Sequence, residues 1–341
     1  MSTIYICEQG ALIRKVSRRI IAEKDKQVLL DIPIIKIDRL FVFGNVQVTT
    51  QAMALLLDHG IDVTYFTSRG RLRGKLNSSI SKNIFLRLAQ YERWSDEKYK
   101  LKLCRNIIEA KLKNMNFVIK RYLSNHPEEN FDRSLQTIDR GLKSLDEKNN
   151  IAGLLGIEGS SSGAYFAAFG QMFRKELQFK KRVRHPSTDP INALLSLGYV
   201  MITNEIASHL EGLAFDPFLG FLHGIKYGRK SLALDMVEEF RQPLIDNFTL
   251  KLANLEIFVE KDFKQIPDAG LNLNDEKFKE YLALYESKLS ESVFAKDLTV
   301  KNWRDLFQQQ GRRLEKAVLE DKDYKPFTME KGGLKDAISG D

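Results

Sequence analysis

Ile84-Phe85-x-x-Leu88-Ala89 and Leu101-x-Leu103-x-x-x-Ile107-Ile108-x-x-x-Leu112 set apolar residues three and four apart, the period of one face of an α-helix. The chain before Ile84 reads differently. Thr3-Ile4-Tyr5-Ile6, Ala11-Leu12-Ile13, Arg19-Ile20-Ile21-Ala22, Gln27-Val28-Leu29-Leu30 and Leu40-Phe41-Val42-Phe43 are short β-branched or aromatic runs. Glu8-Gln9-Gly10, Lys24-Asp25-Lys26 and Phe43-Gly44-Asn45 punctuate them. Thr50 is a candidate N-cap for a short helix through Asp58, closed by His59-Gly60, and Asp62 to Phe66 reads as one more strand. After Ile84 the helical pattern persists, broken at His126-Pro127, Lys148-Asn149-Asn150, His185-Pro186, Asp216-Pro217 and Ile266-Pro267. The expected architecture is therefore α+β and multidomain. An N-terminal β-rich domain spans residues 1–78, a polar linker 79–84, and a larger all-α-helical domain 85–322. Residues 323–341, with Lys331-Gly332-Gly333 and little apolar content, read as a disordered tail.

The 341 residues are 43% hydrophobic and 29% charged, enough to bury a core and stay in solution, and the net charge is +8. A positive excess of this size points toward a polyanion partner without requiring one. It is unevenly spread. Residues 1–76 carry 12 Lys or Arg against 7 Asp or Glu, with Arg69, Arg71, Arg73 and Lys75 alternating with small or apolar residues. Lys180, Lys181, Arg182 and Arg184 form a second cluster. Either group suits a phosphate backbone, and either would also serve as an ordinary solvated face. Cys7 and Cys104 make no C-x-x-C pair and no zinc framework, and Met1 to Gly10 has no signal-peptide pattern, so a cytoplasmic setting is expected. No apolar run is long enough to span a membrane.

Three segments carry candidate chemistry. Leu222-His223-Gly224 follows the apolar run Phe218 to Phe221, and Glu238 lies fifteen residues beyond the histidine in Leu234-Asp235-Met236-Val237-Glu238-Glu239-Phe240-Arg241. Asp235 and Glu238 are three apart and share a helix face. Arg241 is a possible structural partner for Glu238, since a carboxylate among apolar neighbours needs one. Glu158, in Leu154-Leu155-Gly156-Ile157-Glu158-Gly159, precedes Ser160-Ser161-Ser162-Gly163 and an aromatic helix expected to start near Ala164; serines and glycines at a helix start suit anions. One imidazole and two or three carboxylates form a mixed N/O donor set for a divalent cation. A lone histidine beside an apolar run is more often a hydrogen-bonded core residue, and the nearby acids are what set His223 apart. Gly224-Ile225-Lys226-Tyr227-Gly228-Arg229-Lys230-Ser231 imitates a P-loop but has three residues between its glycines and Arg229 at the lysine position, which excludes that motif.

Four ordered blocks resemble the universal CRISPR-associated endonuclease, the integrase of spacer adaptation. They are Leu154 to Gly159 (LxGxEG), His185-Pro186-Ser187-Thr188-Asp189-Pro190-Ile191-Asn192-Ala193-Leu194-Leu195-Ser196-Leu197-Gly198-Tyr199, Leu213 to His223 (GLDPxxGFLH) and Ser231 to Arg241 (SLALDLMEPFR). Gly60-Ile61-Asp62-Val63-Thr64-Tyr65-Phe66 before Gly70 and Gly74 extends the likeness into the N-terminal half. Departures are Ser187 for a second proline, Glu239 where proline is frequent, and Ser161-Ser162-Gly163 for a more usual Ala-Ala-Arg.

The resemblance implies that Glu158, His223 and Glu238 hold Mg²⁺ or Mn²⁺ and that Asp235 assists or completes the site. It implies a homodimer formed through the β domains and a small ferredoxin-like CRISPR-associated adaptation protein as partner. It implies double-stranded and branched DNA as substrate, a spacer fragment and the CRISPR repeat. The reaction would be 3′-hydroxyl attack on a phosphodiester, with hydrolysis when water replaces the hydroxyl. Lys180, Lys181, Arg182, Arg184, Arg229 and Arg241 are the candidate DNA contacts. The competing expectation is a structure-specific, metal-dependent nuclease that repairs branched DNA without joining it to a repeat.

Overall fold

The computed structural model describes residues 2–77, 83–183, 186–267, 270–295 and 298–329. These fall into two compact units, one formed by the N-terminal residues with 275–286 and one by the other helices. The chain is a β-rich N-terminal region followed by a larger helical one, as expected.

In the first unit the strands are β1 (Ser2–Ile6), β2 (Leu12–Val16), β3 (Arg19–Lys24), β4 (Gln27–Pro33), β5 (Ile37–Phe43), β6 (Gln47–Val48), β7 (Asp62–Phe66) and β8 (Leu72–Leu76), with helix α1 (Thr50–Asp58). One sheet has the order β1-β5-β7-β8 and the other β4-β3-β2-β6. In the first sheet β1 and β7 both run parallel to β5, and β8 returns antiparallel. Thr49 caps α1 by accepting from the Ala52 amide at 3.3 Å, one residue earlier than expected, and Gly60 at φ +69° closes it.

The continuous run Leu40-Phe41-Val42-Phe43 is buried on both faces of its sheet. Leu40 and Val42 join Ile13, Ile20, Leu56 and Val63 in the core. Phe41 and Phe43 face the other way, where Phe43 stacks on Phe66 at 4.8 Å and meets Phe278 edge-on at 5.4 Å. Phe278 comes from a helix near the C-terminus, introduced below as α9. From that same helix Glu286 accepts from Tyr5 at 2.9 Å and Lys279 donates to Glu8 at 2.7 Å. The expected partition at residue 78 therefore needs correction: a two-faced strand requires a second cover, and 275–286 supply it from inside the segment assigned to the helical domain.

The helices are α2 (Ile84–Ser95), α3 (Glu97–Asn125), α4 (Asp132–Lys143), α5 (Ile151–Gln171), α6 (Pro190–Leu213), α7 (Ser231–Val237), α8 (Asn247–Asn254), α9 (Asp275–Ser290) and α10 (Trp303–Glu320). A short antiparallel pair, β9 (Phe263–Ile266) and β10 (Gly270–Leu273), interrupts the otherwise helical region. The 29-residue α3 packs against α2, α4 and α5, and α6 packs against α7 and α10. Asp189 caps α6 by accepting from the Asn192 amide at 2.8 Å, with Pro190 at the first helical position, where it loses no hydrogen bond. This is the physical content of the Asp189-Pro190-Ile191-Asn192 block.

The helix expected to begin near Ala164 begins at Ile151, so Glu158 lies mid-helix and not at an N-terminus. Asn150 caps it, accepting from the Gly153 amide at 2.8 Å. Glycines disfavour helix by about 1 kcal/mol each, a bias that tertiary packing overrides here. A second correction concerns the tail. Tyr324, Phe327 and Met329 are buried. Tyr324 donates to Glu239 at 2.5 Å, the Phe327 amide donates to the same carboxylate, and the Met329 amide donates to Asn114 at 2.8 Å. Two buried polar groups far away in sequence thus hold 324–329 in place. Residues 330–341 and most of the expected linker, 79–82, lie outside the described residues. No described helix is long and apolar enough to cross a membrane.

Candidate metal and phosphodiester site

His223 sits in the loop between α6 and α7, and the loop is clamped from α2. Gln90 donates to the Asp216 and Leu219 carbonyls, each at 2.9 Å, and Trp94 Nε1 to the Gly220 carbonyl at 3.1 Å. Asp235 on α7 then gathers the loop's amides. It accepts from the N–H groups of Phe221 (2.5 Å), Leu222 (3.0 Å) and His223 (2.9 Å), and from His223 Nδ1 at 2.7 Å. Gly220 permits this approach, because a Cβ there would stand 2.6 Å from the Ser231 carbonyl carbon and 2.9 Å from Asp235 Oδ2. A carboxylate only accepts, so Nδ1 carries a proton in this contact, and in the neutral tautomer that leaves the Nε2 lone pair for a metal ion. That nitrogen lies 3.8 Å from Glu238 Oε1.

Glu238 caps the C-terminal end of α7 and its side chain is 4% exposed. Burial pushes its carboxyl up, but the charges of Arg241, Lys111 and His223 outweigh this and hold it at about 2. Glu158 on α5 accepts from Ser162, one turn on, at 2.7 Å. The two carboxylates converge on one cation, Lys111 of α3. Its Nζ pairs with Glu158 Oε1 and stands 2.5 Å from Glu238 Oε2. That last oxygen is buried and has no aligned hydrogen bond.

The position of Lys111 has a local cause. Pro243 has no N–H to return to the Glu239 carbonyl, and residues 241–246 form a wider π-helical turn. Asn114, three residues along α3 from Lys111, donates to the Glu239 carbonyl at 2.9 Å. α3 is thereby fixed against the segment carrying Glu238. Sequence reasoning passed over Lys111 and Ser162. The signal for Lys111 was present: it falls on the apolar face with Ile107, Ile108 and Leu112, where a lysine needs anions.

The candidate DNA contacts divide. Lys180 and Lys181 are exposed. Arg182 turns inward, donating to Asn192 at 2.8 Å and Ser196 at 3.1 Å and lying over the Tyr199 ring at 5.3 Å. Arg241 also turns inward: it is 3.3 Å from Glu238 and 4.9 Å from the Tyr199 ring centre. Arg229 donates to the Gly224 carbonyl and to Ser231 Oγ, closing the loop after His223. Arg184 lies outside the described residues. Beneath Tyr199, Asp246 accepts from Tyr199 and from Tyr165 (2.9 Å). Burial raises its carboxyl to about 6 despite those hydroxyls.

Two carboxylates that meet at Lys111, with the His223 imidazole 3.8 Å from Glu238, form a mixed N/O donor set of the kind a hard divalent cation that tolerates nitrogen takes. Among the described residues no three His, Cys, Asp or Glu side chains stand where they could hold a metal ion, and the Lys111 ammonium sits between the Glu158 and Glu238 carboxylates. The donor set fits such an ion, provided the ammonium gives way.

Residues 4–287 match the family model described as CRISPR associated protein Cas1. CRISPR-associated endonuclease Cas1 1 of Moorella thermoacetica is 31% identical over 336 residues, covering 96% of this chain and 98% of that one. A solved Cas1 protein from Thermotoga maritima superposes with a TM-score of 0.80 at 25% identity, over 96% of this chain and all (100%) of that one. A casposase bound to integration product gives a TM-score of 0.86 at 22% identity, over 98% and 96%, a likeness of fold. With a family match across most of its length and a relative aligned nearly end to end, this chain belongs to the Cas1 family of CRISPR-associated proteins.

Proposed function

We propose that the protein is a divalent-metal-dependent DNA endonuclease and integrase of CRISPR adaptation, with Glu158, His223 and Glu238 as ligands of Mg²⁺ or Mn²⁺. The meeting of Glu158 and Glu238 at Lys111, with His223 Nε2 3.8 Å from Glu238 Oε1, carries this reading. A cation held there supplies Lewis-acid polarisation of a phosphoryl oxygen and stabilises the attacking or leaving oxygen. The chain's own residues do the rest. Asp235 fixes the imidazole's tautomer and aim, as the outer partners of metal-bound histidines do. Ser162 orients Glu158. Arg241, pinned on Tyr199, keeps Glu238 ionised. A Cβ added at Gly156, Gly159 or Gly163 would meet nothing within 4 Å, so the helix beside Glu158 is bare enough for a phosphodiester backbone to lie close. Lys180 and Lys181 would track phosphates away from the reacting bond.

Family membership supports spacer fragments and the CRISPR repeat as DNA substrates, homodimerisation through the β-rich unit, and the small ferredoxin-like adaptation protein as partner. A related structure is a complex named for Cas6-RT-Cas1 with Cas2, and the casposase of like fold is bound to an integration product. The deciding experiment supplies a 3′-hydroxyl DNA fragment and a plasmid carrying a repeat, with Mg²⁺ or Mn²⁺ and the partner protein. Fragment joined at the repeat is the expected result. Cleavage of branched DNA with no joining would favour the repair nuclease instead.

A further inference from the structure

We propose that Lys111 is an exchangeable counter-ion: its ammonium and the divalent cation compete for the same two carboxylates, and metal binds by displacing the lysine. The inference rests on the metal reading of Glu158 and Glu238 and adds a control element to it. Nζ pairs with one oxygen of each carboxylate, and the lysine side chain is only 6% exposed. A divalent ion held by those carboxylates would have to share this poorly solvated place with the ammonium, where like charges repel strongly.

One of the cations near this site must therefore move. Arg241 is held by Glu238 and by the Tyr199 face. Lys111 carries a strongly hydrated point charge on a flexible four-carbon stem, with no planar fork to fix it. It is the group built to yield. In the metal-free protein the same ammonium holds together the buried Glu238 and half-buried Glu158 carboxylates, which would otherwise repel.

The test uses the full chain, stripped of metal, as wild type, Lys111→Met, Glu238→Gln and the double variant. Thermal unfolding is followed in chelator and in Mn²⁺, and Mn²⁺ binding by calorimetry and electron paramagnetic resonance. Lys111→Met should unfold earlier than wild type in chelator, and Glu238→Gln in the same chain should restore much of the loss. It should bind Mn²⁺ about 5- to 150-fold more tightly than wild type, the usual range for coupling between two competing ligands. It should also show a larger Mn²⁺-induced rise in melting temperature.

Where Lys111→Met is unfolded in chelator, recovery of its far-ultraviolet dichroism on adding Mn²⁺ supports exchange, and failure to recover overturns it. Weaker or unchanged Mn²⁺ binding in a folded Lys111→Met, with binding abolished by Glu238→Gln, overturns exchange and leaves the metal reading standing. Wild-type Mn²⁺ binding in Glu238→Gln overturns both.

Discussion

His223 Nδ1 donates to Asp235 Oδ1 at 2.7 Å, and the same carboxylate gathers three consecutive amides of the histidine's own loop. Asp235 is thus the residue that aims the imidazole, and on the proposed reading it acts on the metal through His223. Asp235→Ala should lower Mn²⁺ affinity or cleavage by about 10- to 100-fold without abolishing them. Gly220→Ala, which drives a methyl into Ser231 and Asp235, should reproduce that loss in a chain with every ligand intact. Wild-type cleavage by Gly220→Ala would mean that the loop's approach to Asp235 has no bearing on the site.

Asp246 gives a pH signature. Its carboxyl is raised from 3.8 to about 6 by burial. The folded state therefore holds the proton more tightly than the unfolded chain. The resulting stability is complete below 3.8, declines as pH rises, and is gone above about 6. Urea midpoints of wild type should fall relative to Asp246→Asn between pH 4 and 6.5. A constant difference across that window would show that Asp246 does not titrate there.

Leu40 to Phe43 read as a short strand, but nothing local says that both of its faces are buried or what covers the second one. Phe278 does so from more than 200 residues away, a distance at which periodicity carries no signal. Glu158 stood out in the sequence as a candidate acid but not as a mid-helix one, because Gly156, Gly159 and Ser160–Ser162 read as a break while packing enforces helix. Asp235 and Glu238 stood out as candidates by their apolar flanks, and His223 by the acids near it. Lys111 was equally anomalous, yet its partners lie on two other helices. Tyr324 and Phe327 looked like tail because their anchors, Glu239 and Asn114, are remote in sequence.

Phe278→Ala tests the composition of the β-rich unit. The ring is 6% exposed, and its removal should cost about 3–5 kcal/mol by chemical denaturation. Phe85→Ala, at a ring 74% exposed on α2, should cost under about 0.5 kcal/mol. Equal effects would detach Phe278 from the core.

Grip and chemistry should separate. Neutralising Lys180 and Lys181 should weaken binding to unrelated duplexes alike and flatten the slope of log affinity against log salt by about 0.9 per lost phosphate contact. Activity should return at high DNA concentration, since the acids and His223 remain. An unchanged slope would make these lysines a solvated face.

The central claim is that Glu158, His223 and Glu238 together hold the catalytic cation. The most direct measurement is Mn²⁺ binding by electron paramagnetic resonance, paired with DNA cleavage and DNA affinity, for Glu158→Ala, His223→Ala and Glu238→Ala. Each variant should lose Mn²⁺ binding and cleavage while keeping its fold and most of its DNA affinity. A variant that retains wild-type Mn²⁺ binding and full cleavage would contradict the assignment of that residue, and all three doing so would contradict the account.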